Sequence, residues 1–455
     1  MAAFFQSMPR AFLYPRDLIH RRAVVLMALI CAILFTILDT LPTWAGVYNA
    51  NDDVTYKEYW LPHSEFTGGI DDTLPGCVDT VPNGGAFYLE PVNSCSKTVH
   101  FTINDNFADA LKIEIYLDLW RNHVPPSASF QINNGPIHQP PVGYNWSRTP
   151  YIAAIDKSEL VRGANVIKFM DTNGAYHIHD AAFRIYFDDA HPLRDANGAT
   201  ITAPQGRLLT IWADNGLFNA TDGGTLQVDD DQLVLTAQVD TPAQFVEFHG
   251  YYDGYDEDND GQFVDWHNAT RNNFYPGGTT PSPLGGTIDH IGTVAVGAPG
   301  QYMTHWLLPY IVNQSGVKFK IRLVDRNYVV REAAGGVSAP FTLSRSKNVQ
   351  SYYDAGFVDA GIYQGGNKPL TITRSIQLPN TLNVADFQEG YFLGAYWQNP
   401  NIAINSGTKF KAFSGGEDSW ALSVRKISPT LLHSGKNNLV YTYSSGFGQF
   451  VEKPG

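Results

Sequence analysis

The sequence predicts an all-β chain, organised as three consecutive β-sandwich modules behind an N-terminal hydrophobic leader. Three observations carry that prediction. Only 16% of the 455 residues are charged, against roughly 25% in ordinary soluble domains, while 41 Gly, 27 Pro and 13% aromatic residues supply turns and strand formers. Runs of alternating apolar and polar residues recur, and no long amphipathic helix follows the leader. Finally, two stretches of the chain repeat one another.

The leader comes first. Arg10, Arg16, Arg21 and Arg22 form a basic head, and an uncharged apolar run extends from Ala23 to Leu38 before Asp39. Thr43-Trp44-Ala45 puts small residues at the two positions a signal peptidase reads, so cleavage is expected after Ala45. As a helix the run covers about 24 Å, short of the roughly 30 Å bilayer core. Residues 1–45 therefore read as a signal peptide or a signal anchor, the anchor using residues 23–41. Cys31 follows Ile30 rather than a small residue, which argues against lipid attachment. The expected location is extracellular or at the cell surface. Four Arg and two Asp leave with the leader, making the exported part more acidic than the whole chain's net charge of -13. An acidic chain lacks the clustered Lys and Arg that phosphate contacts need, so nucleic acid is excluded as a partner.

The exported part keeps Cys77 and Cys95 in a stretch rich in Pro, Gly and Asn. Such a pair outside the cell reads as one disulfide, a restraint of about 3 kcal/mol at this loop length, with two buried thiols as the alternative. Asn145, Asn219, Asn268 and Asn313 head glycosylation sequons that matter in a glycosylating host.

Residues 46–190 and 350–455 hold the repeat. IEIYLDLW (Ile113 to Trp120), SFQINNG (Ser129 to Gly135) and AIDKSELVRGANVIKF (Ala154 to Phe169) are matched by GYFLGAYW (Gly390 to Trp397), NIAINSG (Asn401 to Gly407) and KISPTLLHSGKNNLVYTY (Lys426 to Tyr443). Asn133 and Gly135 correspond to Asn405 and Gly407; Leu160, Gly163 and Asn165 correspond to Leu432, Gly435 and Asn437. Ile113, Ile115, Leu117 and Leu119 alternate with Lys112, Glu114, Tyr116 and Asp118, the pattern of a strand with one buried face. Asn-x-Gly supplies a tight turn with a positive φ, and Leu-x-x-Gly-x-Asn a second turn before another strand.

An aromatic strand, an Asn-Gly turn and a late Leu-x-x-Gly-x-Asn together resemble the galactose-binding-like jelly roll appended to many secreted carbohydrate-active enzymes. The resemblance implies a sandwich that holds glycan or packs beside another domain, with ligand sites on variable loops. No signature carries a ligand residue over.

Residues 195–346 differ in texture. TLQVDDDQLVLTAQV (Thr225 to Val239), FVEFHGYY (Phe245 to Tyr252), VKFKIRLVD (Val317 to Asp325) and SAPFTLSR (Ser338 to Arg345) alternate between closely spaced turns. This stretch resembles an immunoglobulin-like sandwich, without a Cys-Trp-Cys framework. Within it, Asp256, Asp258, Asp260 and Gly261 read DxDxDG, between Asp253 and Asp265. Carboxylates at alternate positions of a tight loop wrap a hard cation such as calcium, which takes about six to eight oxygens. The loop is similar to the first half of an EF-hand loop, but His267 stands where a bidentate Glu is required and no helices flank it. A solvated acidic hairpin tip is the alternative.

Other groupings are weaker. His177 and His179 are two apart on a strand, a spacing open to zinc or copper, though ordinary sheet-face histidines are commoner. His249, His267 and His290 with Asp265 and Asp289 contain a conceivable acid and base but no framed nucleophile. Trp120, Trp146, Trp212, Trp266, Trp306, Trp397 and Trp420 are mostly expected in cores. Trp146, between Pro-rich turns, and Trp266, beside the acidic loop, are the expected exposed sugar platforms. Together these point to a noncatalytic protein that binds extracellular glycan or cell-surface polysaccharide, with calcium as a structural ion. A polysaccharide hydrolase or lyase with its site in a sandwich groove, and a purely structural surface protein, are the rival expectations.

Overall fold

The computed structural model of the chain describes residues 53–61, 87–89, 96–121, 128–140, 147–171, 176–254, 263–266, 291–352, 362–364, 370–397, 400–411, 420–443 and 449–454. The leader, Cys77, Cys95, Trp146, Asp256, Asp258 and Asp260 lie outside these residues. Among those described the protein is all-β, with five sheets and three single-turn 3-10 helices. Pairing is antiparallel except where Gly224–Val228 runs parallel to Phe341–Arg345. No helix among the described residues is long and apolar enough to cross a membrane.

The repeated stretches fold alike. Ser96–Ile103, Gly163–Asp171, Ala128–Ile132 and Ile137–His138 form a four-stranded sheet in that order, and Leu370–Leu378, Gly435–Tyr443, Asn401–Ile404 and Phe410–Lys411 form another in the matching order. A pair of asparagines 32 positions apart ties each one. Asn133 Nδ2 donates to Glu159 O (2.7 Å) and Asn165 Oδ1 (3.0 Å), and its Oδ1 accepts from Val166 N (2.9 Å). Asn405 repeats this with Leu431 O (2.8 Å), Asn437 Oδ1 (2.9 Å) and Asn438 N (2.9 Å). Asn165 and Asn437, both buried, close their own turns on Val161 and Gly163 and on His433 and Gly435.

The positive φ of the Asn-x-Gly turn falls on the asparagine, 50° at Asn133 and 54° at Asn405, a conformation Asn tolerates better than most residues. Gly135 and Gly407 are needed for space instead. A Cβ at Gly135 would lie 3.0 Å from Glu159 Oε2, and one at Gly407 only 2.5 Å from Leu431 Cδ2.

The largest sheet has 12 strands. Its path runs Gly224–Val228, Phe341–Arg345, Gln314–Val324, Val329–Glu332, Val54–Trp60, Tyr176–Tyr186, Lys112–Arg121 and Ser147–Ile155, with Phe245–Asp253 paired to Gln314–Val324. Val54–Trp60 is the joint. It pairs on one side with Tyr176–Tyr186 and on the other with Val329–Glu332.

One face of this sheet is apolar. Ile113, Ile115, Leu117, Phe183 and Ile185 pack with Val99, Phe101, Phe130 and Ile167. Phe248, Phe319, Ile321 and Leu323 pack with Ile211, Leu233 and Leu235, which belong to a separate sheet of Gly216–Asn219, Gly206–Ala213, Gln232–Val239 and Gly300–Leu307. Ile372, Ile402, Ile404, Leu439 and Tyr441 form a third cluster in the second copy. Each such side chain contributes about 1.5–3 kcal/mol when fully buried.

The opposite face departs from the sequence reading, which expected alternating strands to bury one side only. Tyr116, Arg184, Glu247, His249, Lys320 and Arg322 are all withdrawn from water. Opposite charges meet across neighbouring strands there, so the polar side is neutralised within the protein rather than by solvent.

Candidate functional site

Two sheet faces concentrate chemistry, and the first is this buried ionic one. Register places Glu247 opposite Arg322 and Arg322 opposite Glu332. A second row, starting on the joint strand, sets Glu58 opposite Arg184 and Arg184 opposite Glu114. Each row reads Glu-Arg-Glu across three adjacent strands.

Arg322 Nε bonds Glu247 Oε2, and Arg184 Nε lies 3.3 Å from Glu58 Oε1. Lys320 Nζ donates to Glu332 Oε1 at 2.7 Å, and the Tyr56 hydroxyl donates to Glu332 Oε2 at 3.2 Å. Trp60 Nε1 donates to Glu58 (3.0 Å) and the Tyr186 hydroxyl to Glu114 (2.7 Å). Aromatic faces receive the cations: Arg184 sits over Tyr116 at 4.8 Å, and Lys320 over Trp266 at 4.4 Å.

Burial sets the protonation on this face. It pulls His249 well below its ordinary 6.5, against the opposing pull of Glu247, while Arg322 and Lys320 add repulsion. Burial also lowers Lys320, with Glu332 pulling it back, and raises the Tyr186 phenol well above its ordinary value. His249 Nε2 is 3.8 Å from Glu247 Oε2, but Glu247, Glu332, Glu58 and Glu114 all hold a cation or a phenol. The arrangement is an ionic clamp rather than a poised acid and base.

The residues singled out in the sequence are distributed as follows. Trp266 is buried, 5% exposed, so the open sugar platform expected of it is not found; its ring lies under Lys320 and against Tyr251 (5.6 Å). Asp253 and Asp265 flank a hairpin of Phe245–Asp253 and Val264–Trp266, closed by Gly254 N to Phe263 O at 2.8 Å. Asp253 pairs with Val264 and Tyr252 with Asp265, which puts the two carboxylates on opposite faces of the hairpin.

His267, His290 and Asp289 lie outside the described residues. In Tyr176–Tyr186 the ladder passes from Asp180 to Ile178 and skips His179, an irregularity of the backbone pairing at this point. Among the described residues no group of three or more His, Cys, Asp or Glu is arranged to hold a metal.

The second face was missed by sequence reasoning. Trp212 is 63% exposed, with Leu217, Met303 and Leu307 also open. Register lines up Leu217, Trp212, Val234 and His305 on four adjacent strands, and Asn219, Thr210, Thr236 and Met303 beside them. The cause lies in Gly206–Ala213, where the register shifts between Leu208 and Thr210. Without that irregularity Leu208, Thr210 and Trp212 would share a face; with it, Leu208 and Ile211 are buried and Trp212 turns outward.

No protein-family model and no curated protein matches the chain. Among solved structures, the glycoside hydrolase domain of Endo-D from Streptococcus pneumoniae is 11% identical over 59% of this chain and 35% of its own, with a TM-score of 0.26. A β-porphyranase of glycoside hydrolase family 86 from Bacteroides plebeius is 13% identical over 50% of this chain and 35% of its own, TM-score 0.19. A Lactobacillus rhamnosus β-glucuronidase is 12% identical over 68% and 47%, TM-score 0.20. The chain spans about a third to a half of the length of these proteins. Among the described residues the protein is all-β, with several sheets paired mainly antiparallel.

Proposed function

We propose that the protein is an exported or surface-anchored, noncatalytic binder of extracellular glycan. In this reading galactose-binding-like modules over residues 46–190 and 350–455 flank an immunoglobulin-like module over 195–346. Trp212 carries the proposal: its indole is 63% exposed on an open strand face, where a sugar ring stacks on the ring while hydroxyls meet neighbouring Thr and Asn side chains.

Incubation with a panel of polysaccharides tests it. Retention on at least one, without release of reducing sugar or unsaturated product, is the expected result. Product release overturns it in favour of a hydrolase or lyase, and retention on none favours a purely structural protein.

We propose further that Asp256, Asp258 and Asp260, with Asp253 or Asp265, hold a structural calcium at the hairpin tip, since carboxylates crowded on one loop repel unless an ion joins them. Calcium is expected to raise Tm by about a few degrees, and Asp258→Ala to abolish the rise. A wild-type Tm indifferent to calcium rejects the site.

A further inference from the structure

We infer that the Trp212 face takes a neutral, extended polysaccharide lying flat across its four strands, an assignment that rests on the glycan-binding reading above. The first support is charge. In a chain of net charge -13, the rows Leu217-Trp212-Val234-His305 and Asn219-Thr210-Thr236-Met303 contain no Asp, Glu, Lys or Arg. Arg207, at the margin, is turned to Asp240 at 3.4 Å. A polyanionic glycan meets the repulsion of the whole chain and of Asp222, which holds Asn219 Nδ2 at 2.8 Å at the edge of the face, whereas the hydroxyls of a neutral sugar find the hydroxyls of Thr210 and Thr236 and the amide oxygen of Asn219.

The second support is shape and size. Four strands about 4.8 Å apart give a face about 14 Å across, and with exposed side chains along about 20 Å of strand the open area is on the order of 300 Å². A face of this breadth matches a short run of sugar rings lying flat on the exposed side chains of Trp212, Leu217, Met303 and Leu307. The open residues stand on strands, not in a loop pocket, which favours the middle of a chain over a chain end.

Affinity electrophoresis of the full chain tests this, using soluble neutral β-glucan, glucomannan and xylan against alginate and pectate, each at low and high salt. Wild-type protein is expected to be retarded by at least one neutral polysaccharide with less than about a twofold change between the salt levels, because screening has no ion pair to weaken. Trp212→Ala is expected to bind about tenfold or more weakly with an unchanged Tm, and Trp212→Tyr to retain most of the binding. Leu217→Asn, on the adjacent strand, is the second variant should Trp212→Ala not fold.

Retardation by alginate or pectate alone, lost in salt, overturns the neutral-ligand assignment and leaves glycan binding standing. Neutral-glycan binding undiminished in both variants moves the site elsewhere and overturns the inference. Absence of binding to every polysaccharide overturns both readings. Sedimentation showing a dimer that Trp212→Ala dissolves makes the face a self-interface and overturns the assignment.

Discussion

Asn165 and Asn437 each satisfy a backbone N–H and two carbonyls while exposing almost nothing to water. Truncating either leaves these groups without their partners, so Asn165→Ala and Asn437→Ala are each expected to cost about 2–3 kcal/mol by urea titration. Losses under about 0.5 kcal/mol would mean that water replaces the side chain. His249 gives a pH signature. Its folded-state pKa lies below the ordinary 6.5, mainly through burial, so below that pH the unfolded chain takes up a proton that the native state refuses. Stability is expected to be insensitive to this group above pH 6.5 and to fall below it, by at most about 1.4 kcal/mol per pH unit. His249→Gln should flatten that limb of a urea-midpoint profile; an identical profile rules the residue out. At this scale the asparagines were legible, because turn chemistry is local. His249 was visible only as a histidine in a strand, since Arg322 and Lys320, which face it, come from a strand about seventy residues further along the chain.

Among the elements, Val54–Trp60 and Gly206–Ala213 decide most. The joint strand brings Glu58 to Arg184, a buried pair whose partners are 126 positions apart. Removing one partner strands the other charge, so Arg184→Met is expected to cost about 3–5 kcal/mol, while Glu58→Leu with Arg184→Met recovers much of the loss. A double mutant no better than the single one would show that packing, not charge, holds the strand. Strand positions were readable from alternation, but the fate of their polar faces was not. Glu, Arg and Tyr at alternate positions read the same whether they face solvent or one another. Gly206–Ala213 shows the second limit, because a single irregularity at Leu208 and Thr210 reverses which of Ile211 and Trp212 enters the core, and nothing in the string RLLTIWA announces it.

For the whole molecule, the repeat was legible and the continuity of the largest sheet was not. Repeated turns leave a local signature; a strand whose two partners both lie more than a hundred residues away leaves none. That sharing predicts a calorimetric result. The parts built around Phe183 and Phe319 should melt together in one transition, since unfolding either removes half the hydrogen bonds of Val54–Trp60, and deleting residues 47–61 should split or lower that transition. Two well-separated transitions in the intact chain would show that the strand couples them weakly.

The joint strand also sets an order of assembly. Tyr56 meets Glu332 across 276 positions, so the strand has no second neighbour until that far later segment has been synthesised. Closing so long a loop is slow compared with local hairpins, and in the interval the edge of Val54–Trp60 stays open to pairing with other chains. Folding yield should therefore be governed by how long this strand waits, and sequestering it during synthesis should raise the yield without changing the stability of the finished protein.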